Sequence, residues 1–128
     1  MMHGDFVKHA GGDVQDMRKG QTIFLNGAIG SHMYVVMDGQ VEIRIGDRVV
    51  DVISPGGVFG EMALVDDKPR AGTAIGVSDG KLLRIDEKQF LKLVHDSPEF
   101  SLKILRTVVA RVRRADTIGG LIPTTKSA

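Results

Sequence analysis

The sequence predicts a mainly β domain, an antiparallel sandwich or barrel, with two helices after it. Glycine is frequent, at 16 of 128 residues, and glycine supplies the tight turns that short strands need. Between residues 13 and 85, short segments with apolar and polar residues in alternation end in turn signals. After Ile85 the spacing of apolar residues changes to that of a helix. These three observations place the strands first and the helices last.

Six segments are predicted as strands because they are rich in β-branched or aromatic residues. They are residues 21–25, 32–37, 40–45, 48–53, 71–77 and 81–85. Turn dipeptides separate neighbouring segments, as at Asp38-Gly39 and Asp79-Gly80. The alternation in residues 40–45 predicts that Val41, Ile43 and Ile45 lie on one face of a strand.

Two helices are predicted after the strands. Asp86, with Gln89 three residues later, has the capping-box spacing that begins a helix. Ser97-Pro98-Glu99 predicts the start of the second helix, since it supplies a cap, a proline at the first helical position and an acid in the first turn. We expect the first helix to bury its apolar residues, which are Phe90, Leu91, Leu93 and Val94.

The predicted elements divide the chain into three parts. Residues 1–12 form an N-terminal extension, and residues 119–128 form a flexible tail beyond a Gly-Gly pair. The domain between them, residues 13–118, consists of a barrel over 13–85 and helices over 86–118.

Composition and charge exclude several classes of protein. The formal net charge of +1 gives no field strong enough to hold nucleic acid or an anionic membrane by itself. The absence of cysteine excludes disulfides, thiolate nucleophiles and Cys-ligated metals. No apolar run approaches the roughly 20 residues of a membrane span, and residues 1–10 contain no secretory signal. We therefore expect a cytoplasmic domain without a membrane segment.

An enzyme is not indicated. A metal-dependent enzyme built on a small β-barrel needs clustered histidines, and the four histidines are scattered without ligand spacing, at His3, His9, His32 and His95. No Ser-His-Asp arrangement can be argued, and Asp66-Asp67 is more simply a solvated loop. We therefore predict no catalytic residues, no metal and no cofactor.

Residues 54–74 fit neither the strand nor the helix period, although they lie inside the β region. They contain a glycine turn, a short helical turn starting near Gly60-Glu61, a polar loop, and then Arg70. The free amides at the start of a helical turn suit a phosphate group, and an arginine adds a bidentate partner for its oxygens. Glu61 is an acceptor for a sugar hydroxyl. In the simpler interpretation, Glu61 caps its own helix and Arg70 pairs with nearby carboxylates.

Gly60-Glu-Met-Ala-Leu64, followed after a short loop by Pro69-Arg-Ala-Gly-Thr-Ala74, resembles the phosphate-binding cassette of cyclic nucleotide-binding domains. Residues 27–43 resemble the first hairpin of that family, and the resemblance covers residues 13–115. It implies an antiparallel β-roll (a double-stranded β-helix, jelly-roll-like) with a short cassette helix and two C-terminal helices. It also implies a non-catalytic sensor whose ligand is cAMP or cGMP.

The resemblance assigns roles to six residues. Arg70 would bind the cyclic phosphate and Glu61 the ribose 2′-hydroxyl. Backbone amides around the other four would complete the cradle, and these are Gly60, Met62, Ala63 and Ala71. An alanine after the arginine implies a preference for cAMP over cGMP. Gly72 departs from the family's usual alanine, which we expect to loosen the strand without abolishing binding.

Several alternatives remain open. The domain is a sensor of a cyclic nucleotide, a sensor of another small anion, or a degenerate scaffold for dimerisation or partner binding. The residues after the second helix are too few for the DNA-binding domain of the bacterial members, so we expect no direct DNA binding from this chain. The basic residues of the second helix favour a solvated face over a nucleic-acid surface. In the family this helix caps the ligand and pairs with a second subunit, so the helix over residues 98–115 is a candidate homodimer contact.

Overall fold

The computed structural model describes residues 13–118, with side chains up to Arg113. The predicted extension of residues 1–12 and tail of residues 119–128 lie outside the described residues. The chain separates into two compact units, Met1–Asp96 and Ser97–Ala128. The strands and the first helix belong to the first unit, and the second helix belongs to the second.

The strands of the first unit form two four-stranded sheets in which the paired strands are antiparallel. The strand orders are β1-β8-β3-β6 in one sheet and β2-β7-β4-β5 in the other. This confirms the prediction of a mainly antiparallel β fold. The strands are β1 (Asp13–Met17), β2 (Thr22–Phe24), β3 (His32–Asp38), β4 (Val41–Ile45), β5 (Arg48–Ile53), β6 (Val58–Phe59), β7 (Thr73–Gly76) and β8 (Gly80–Asp86).

Two strands, β1 and β6, are not indicated by local alternation. β1 reads Asp-Val-Gln-Asp-Met and is largely polar, and it forms an edge of its sheet by pairing with β8 over its whole length. β6 has only two residues and pairs with Tyr34 and Val35 of β3. Pairing with a neighbouring strand, rather than local periodicity, defines both elements.

The apolar face of β4 is buried at one end only. Val41 is fully buried, Ile43 is half-buried, and Ile45 is 50% exposed. β4 pairs with β7 only from Val41 to Arg44, and its register with β5 shifts between Ile43 and Arg44. Ile45 therefore extends beyond the covered part of the sheet.

The core of the first unit lies among side chains from both sheets. One cluster of buried residues joins β1, β3, β6 and β8 to β4, β5 and β7. Phe24 and Ile43 pack against this cluster from β2 and β4. Burial of apolar surface on this scale is the main stabilising contribution to such a fold. The cluster consists of Met17, Tyr34, Val36, Val41, Ile53, Phe59, Ala74 and Leu82.

The first helix, α1 (Glu87–Asp96), begins with the predicted capping box. The amide of Asp86 donates to Gln89 Oε1 at 2.9 Å, and the amide of Gln89 donates to Asp86 Oδ1 at 2.8 Å. Leu93 is fully buried, but Leu91 is 59% exposed, so its predicted burial is wrong. Two residues apart on a helix, these side chains project in nearly opposite directions.

The second unit contains the helix α2 (Pro98–Ile118). It begins at the predicted proline, where the amide of Phe100 donates to the Ser97 carbonyl at 2.9 Å. Within the described residues, no helix is long and apolar enough to span a membrane.

Candidate ligand-binding site

The segment between β6 and β7 begins at Gly60, whose backbone is left-handed with φ 75° and ψ 12°. A 3-10 helix, η1 (Glu61–Leu64), follows it at the position where the sequence predicts a short helical turn. The amides of Val65 and Asp66 donate to the Met62 carbonyl at 3.0 and 3.1 Å. No side chain caps the start of η1, so a left-handed glycine makes the turn from strand to helix.

Arg70 is held by its backbone before β7 begins. Its amide donates to the Ala28 carbonyl at 2.8 Å, and its carbonyl accepts from the Gly27 amide at 2.7 Å. β7 starts at Thr73, so the predicted strand over residues 71–77 is too long at both ends. Arg70 is thus fixed to the β2–β3 loop rather than to a sheet.

The Arg70 side chain is buried, with 9% of the residue's surface exposed. Its Nη1 donates to the Gly60 carbonyl at 3.0 Å, and its Nη2 donates to the His32 carbonyl at 2.8 Å. One guanidinium therefore connects the start of η1 to the start of β3. Its Nε is buried without a hydrogen-bond partner within the described part of the chain. A buried donor left without a partner is costly, so this atom is suited to an incoming acceptor.

Two residues that the sequence did not single out contact the same guanidinium. Arg70 Cζ lies 4.0 Å from the centroid of the Phe24 ring. A Cβ atom added at Gly30 would lie 2.4 Å from Nε and 2.5 Å from both Cζ and Nη2. Phe24 and Gly30 therefore lie directly against the arginine. Their sequence signals are a strand aromatic and a turn glycine, and neither signal identifies a neighbour so far along the chain.

The electrostatics of the site centre on two buried groups of opposite charge. Burial lowers the pKa of the Arg70 guanidinium, while Tyr34 and the Glu61 carboxylate act in the opposite direction. Glu61 is only 7% exposed. Arginine remains a cation at neutral pH even when its pKa is lowered. The site thus combines a buried cation, one free donor and a buried carboxylate that influences the cation.

The six predicted site residues lie in one short region, but only some of them place side chains in it. Gly60 and Arg70 are in direct hydrogen-bond contact, and Glu61 is buried beside them. The side chains of Met62 and Ala71 are exposed and are not packed into this buried region. The amide of Ala63 donates to the Gly60 carbonyl at 3.3 Å, a long bond that an acceptor of better geometry can replace.

His32, at the start of β3, is a further residue that sequence reasoning did not place here. Burial is the main cause that lowers the pKa of its imidazole; the positive charges of Arg84 and Arg70 lower it further, and Asp86 and Asp13 oppose them. Its Nδ1 lies 3.0 Å from Ser31 Oγ. Among residues 13–113, no group of three or more histidines, aspartates and glutamates is placed to hold a metal ion.

A groove of about 640 Å³ lies next to this region. Its lining includes Ile29, His32, Ala63 and Leu91, but neither Glu61 nor Arg70. Four carboxylates also line it, from Asp66, Asp67, Asp86 and Glu87. Among the residues that the structure describes, Lys88 is the one lysine or arginine in the lining. The groove adjoins the arginine site, because Gly30 and His32 contribute to both.

Two antiparallel sheets with a shared core, a glycine-initiated 3-10 helix and a buried arginine define a β-roll with a cassette segment. The chain belongs to the cyclic nucleotide-binding domain family, whose model matches residues 14–97. This confirms the resemblance stated from the cassette and hairpin motifs.

The relatives of this chain include regulators and a signalling protein. It is 29% identical to the CRP-like cAMP-activated global transcriptional regulator of Mycobacterium tuberculosis, over 79% of this chain and 47% of that protein. The structure of the catabolite activator protein of Thermus thermophilus matches with 28% identity and a TM-score of 0.75, over 88% of this chain and 56% of that one. A protein structure from a study of a cyclic-GMP-dependent signalling pathway in bacterial phytopathogenesis matches with 29% identity and a TM-score of 0.73, over 87% and 91% of the two chains.

These similarities confirm the β-roll. The chain spans about half the length of the curated relatives that it matches.

Proposed function

We propose that the chain binds a cyclic nucleoside monophosphate, cAMP in preference to cGMP, as a non-catalytic sensor. Arg70 holds the cyclic phosphate, and Glu61 accepts a hydrogen bond from the ribose 2′-hydroxyl. Backbone amides around Gly60, Met62, Ala63 and Ala71 complete the cradle. The preference for cAMP rests on Ala71, at the position where the family's kinase-type members carry alanine for cAMP and threonine for cGMP.

The observation that carries this proposal is the burial of Arg70 with an unpartnered Nε beside a buried Glu61. A buried charge is retained at a cost in stability, and a scaffold gains nothing from it. A phosphate oxygen satisfies the free Nε, and the sugar of the same molecule supplies the hydroxyl that a carboxylate accepts. One ligand of this class therefore accounts for both buried groups.

Phosphate binding has to compete with the carbonyls of Gly60 and His32 for the guanidinium donors. Hydrogen bonds to a charged phosphate are stronger than those to neutral carbonyls, so the exchange favours the ligand. It also loosens the ties from Arg70 to η1 and to β3. His32 pairs in register with Asp86, which caps α1, and α1 leads along the chain into α2. We propose this route for the signal to the C-terminal helix.

A thermal-melt series with cAMP, cGMP, AMP and 2-oxoglutarate tests the proposal. Ligand at about 100 times its Kd adds ~2.7 kcal/mol of stability, which raises the Tm of a domain of this size by several degrees. We expect the largest rise with cAMP, a smaller one with cGMP and none with AMP. A rise with 2-oxoglutarate alone would favour a sensor of another anion. No rise with any of them, in a sample free of carried-over nucleotide, would favour the scaffold.

We also propose that α2 pairs with the same helix of a second copy. Its exposed large apolar side chains recur three and four residues apart, which is the spacing of a two-helix seam. They are Leu102, Leu105, Val109 and Val112. Light scattering at high protein concentration, with and without cAMP, measures the mass. A dimer that dissociates in Leu105→Glu supports this contact, and a monomeric mass throughout contradicts it.

A further inference from the structure

The Arg70 guanidinium occupies a slot, defined here as the Phe24 ring, Gly30 and the carbonyl oxygens of Gly60 and His32. The two carbonyls fix its Nη atoms at 3.0 and 2.8 Å. The Phe24 ring lies against the guanidinium, and the guanidinium occupies the space that a Cβ atom at Gly30 would need. Phe24 and Gly30 determine where the cation can lie without using a hydrogen bond that a ligand needs.

Phe24 is itself held firmly. Its ring centroid lies 6.1 Å from that of Tyr34 and 6.0 Å from that of Phe59, and the Tyr34 and Phe59 rings stack at 5.1 Å. Phe59 and Tyr34 belong to the buried core. The ring therefore cannot turn away from Arg70 without disturbing the core. An arginine over an aromatic ring also gains a cation–π attraction that increases where water is excluded.

Gly30 contributes by having no side chain. Its φ is not in the left-handed region, so its backbone conformation is open to alanine. The three atoms nearest to an added Cβ all belong to Arg70, at 2.4 to 2.5 Å. A side chain at position 30 would therefore clash first with the Arg70 guanidinium.

We propose that Phe24 and Gly30 are positioning residues for the anion-binding arginine. This inference rests on the proposed function and adds two residues to it. A long side chain fixed before the ligand arrives loses less conformational entropy on binding. Phe24 and Gly30 therefore increase affinity by preorganising Arg70, and they act through that residue alone.

Isothermal titration with cAMP tests the slot in four variants of the full chain. Gly30→Ala displaces the guanidinium from this position, and we expect about a tenfold or greater loss of affinity because Arg70 is then no longer held where the ligand needs it. Phe24→Leu keeps an apolar side chain but removes the ring, and we expect a loss of about 3- to 30-fold. Phe24→Tyr keeps the ring and should retain parental affinity. Ile29→Ala, an exposed neighbour of Gly30 in the same loop, is the matched control and should bind like the parent.

Gly30→Ala and Phe24→Leu are also made in an Arg70→Ala background. This comparison distinguishes an effect on the position of Arg70 from a general effect on the structure. If the two residues act through Arg70, neither substitution weakens the residual binding further. Equal losses in both backgrounds would overturn the inference. If Gly30→Ala does not fold, Phe24→Leu alone decides the comparison.

An NMR measurement without ligand distinguishes failure of the slot from failure of the proposed function. A ring 4.0 Å away shifts the Arg70 side-chain protons upfield, and Phe24→Leu should remove that shift. Phe59→Leu, which also removes a core ring, should leave most of it. If Phe24→Leu leaves the chemical shifts of the Arg70 side-chain protons unchanged, the inferred positioning by Phe24 is wrong, whether or not the protein binds a cyclic nucleotide. If the parent protein shows the upfield shift but binds no cyclic nucleotide, the positioning of Arg70 is supported and the proposed function is rejected.

Discussion

The cassette segment, residues 60–71, buries two of its charged side chains, whereas the β4–β5 hairpin, residues 41–53, buries none. In the hairpin, charged side chains stay at least partly exposed, as in the Arg44–Glu42 pair at 2.7 Å with side-chain exposures of 43% and 22%. In the cassette segment, Glu61 and Arg70 are 7% and 9% exposed. The hairpin pairs its backbone in regular ladders, whereas the cassette segment uses a left-handed glycine and a single 3-10 turn.

The difference indicates which charges carry function. An exposed ion pair such as Arg44–Glu42 contributes ~0–1 kcal/mol and can be replaced without much effect. Burial of Glu61 and Arg70 costs desolvation energy that their mutual attraction does not reliably offset. The burial of Glu61 and Arg70 thus supports the binding roles proposed for them, whereas the exposed pair in the hairpin needs no such explanation.

The largest expected difference between the two regions is in ligand binding. Arg70→Ala should weaken cAMP binding by ~2–5 kcal/mol, because it removes the buried charge partner of the phosphate. Arg44→Ala, the matched arginine of the hairpin, should leave the Kd unchanged. Titration calorimetry on both variants measures this, and parental affinity in Arg70→Ala contradicts the phosphate role.

The second comparison is between two glutamates, Glu61 in the cassette segment and Glu42 in the hairpin. Glu61→Gln should cost ~1.5–3 kcal/mol of cAMP affinity through the lost charged acceptor for the 2′-hydroxyl. It should also reduce the discrimination between cAMP and 2′-deoxy-cAMP. Glu42→Gln in the hairpin should change neither quantity. If Glu61→Gln still prefers cAMP over the deoxy analogue as strongly as the parent does, the ribose contact lies elsewhere.

Each region contains a glycine with a left-handed backbone, and alanine substitutions at the two positions compare the effects on unfolding free energy. Gly46, in the hairpin turn, has φ 61° and no neighbour within 4 Å of an added Cβ. Gly60 has φ 75°, and an added Cβ would lie 2.9 Å from Arg70 Nη1. Gly46→Ala should cost ~1 kcal/mol of unfolding free energy through backbone strain alone. Gly60→Ala should cost ~2–3 kcal/mol, because crowding adds to the strain. Urea denaturation measures both, and equal costs would mean that Arg70 moves aside freely.

The smallest expected effect is on an exposed charge outside both regions. Hydrogen bonds from His95 and then Lys92 lower the pKa of the Asp96 carboxyl from 3.8 to about 2. A lowered pKa in the folded state contributes stability above the unfolded value, and that contribution disappears as the pH falls from about 4 towards 2. Asp96→Asn should therefore be slightly less stable than the parent at pH 5 and match it near pH 2. Carboxyl NMR titration gives the midpoint directly, and a midpoint near 4 would show that the pair does not form in solution.

Much of the fold is predictable because it depends on neighbours along the chain. The strand over residues 48–53 has the predicted bounds, and β3 is predicted to within one residue. The Asp86–Gln89 capping box is also correct, since its donors and acceptors lie within three residues of each other. The cassette motif likewise identifies Gly60, Glu61 and Arg70 as candidates, because their types and spacing are local.

The exposure of individual apolar side chains is less predictable from the sequence. Ile45 and Leu91 are apolar and fit their local periods, yet both are exposed. Local periodicity gives the direction of a side chain, but burial also requires another element to cover that face. The pairing of β4 with β7 stops at Arg44, before Ile45. Leu91 lies on the side of α1 away from the buried Leu93.

The motifs of this chain are sufficient to identify a β-roll of the cyclic nucleotide-binding family and to locate its cassette segment at residues 60–71. The surroundings of Arg70 follow from the tertiary structure and not from local motifs. Phe24, Gly30 and His32 are separated from it by some 40 residues along the chain and reach it through sheet pairing and the β2–β3 loop. Propensity and motif spacing act over a few residues, whereas the position of a buried guanidinium depends on contacts formed when the two sheets close.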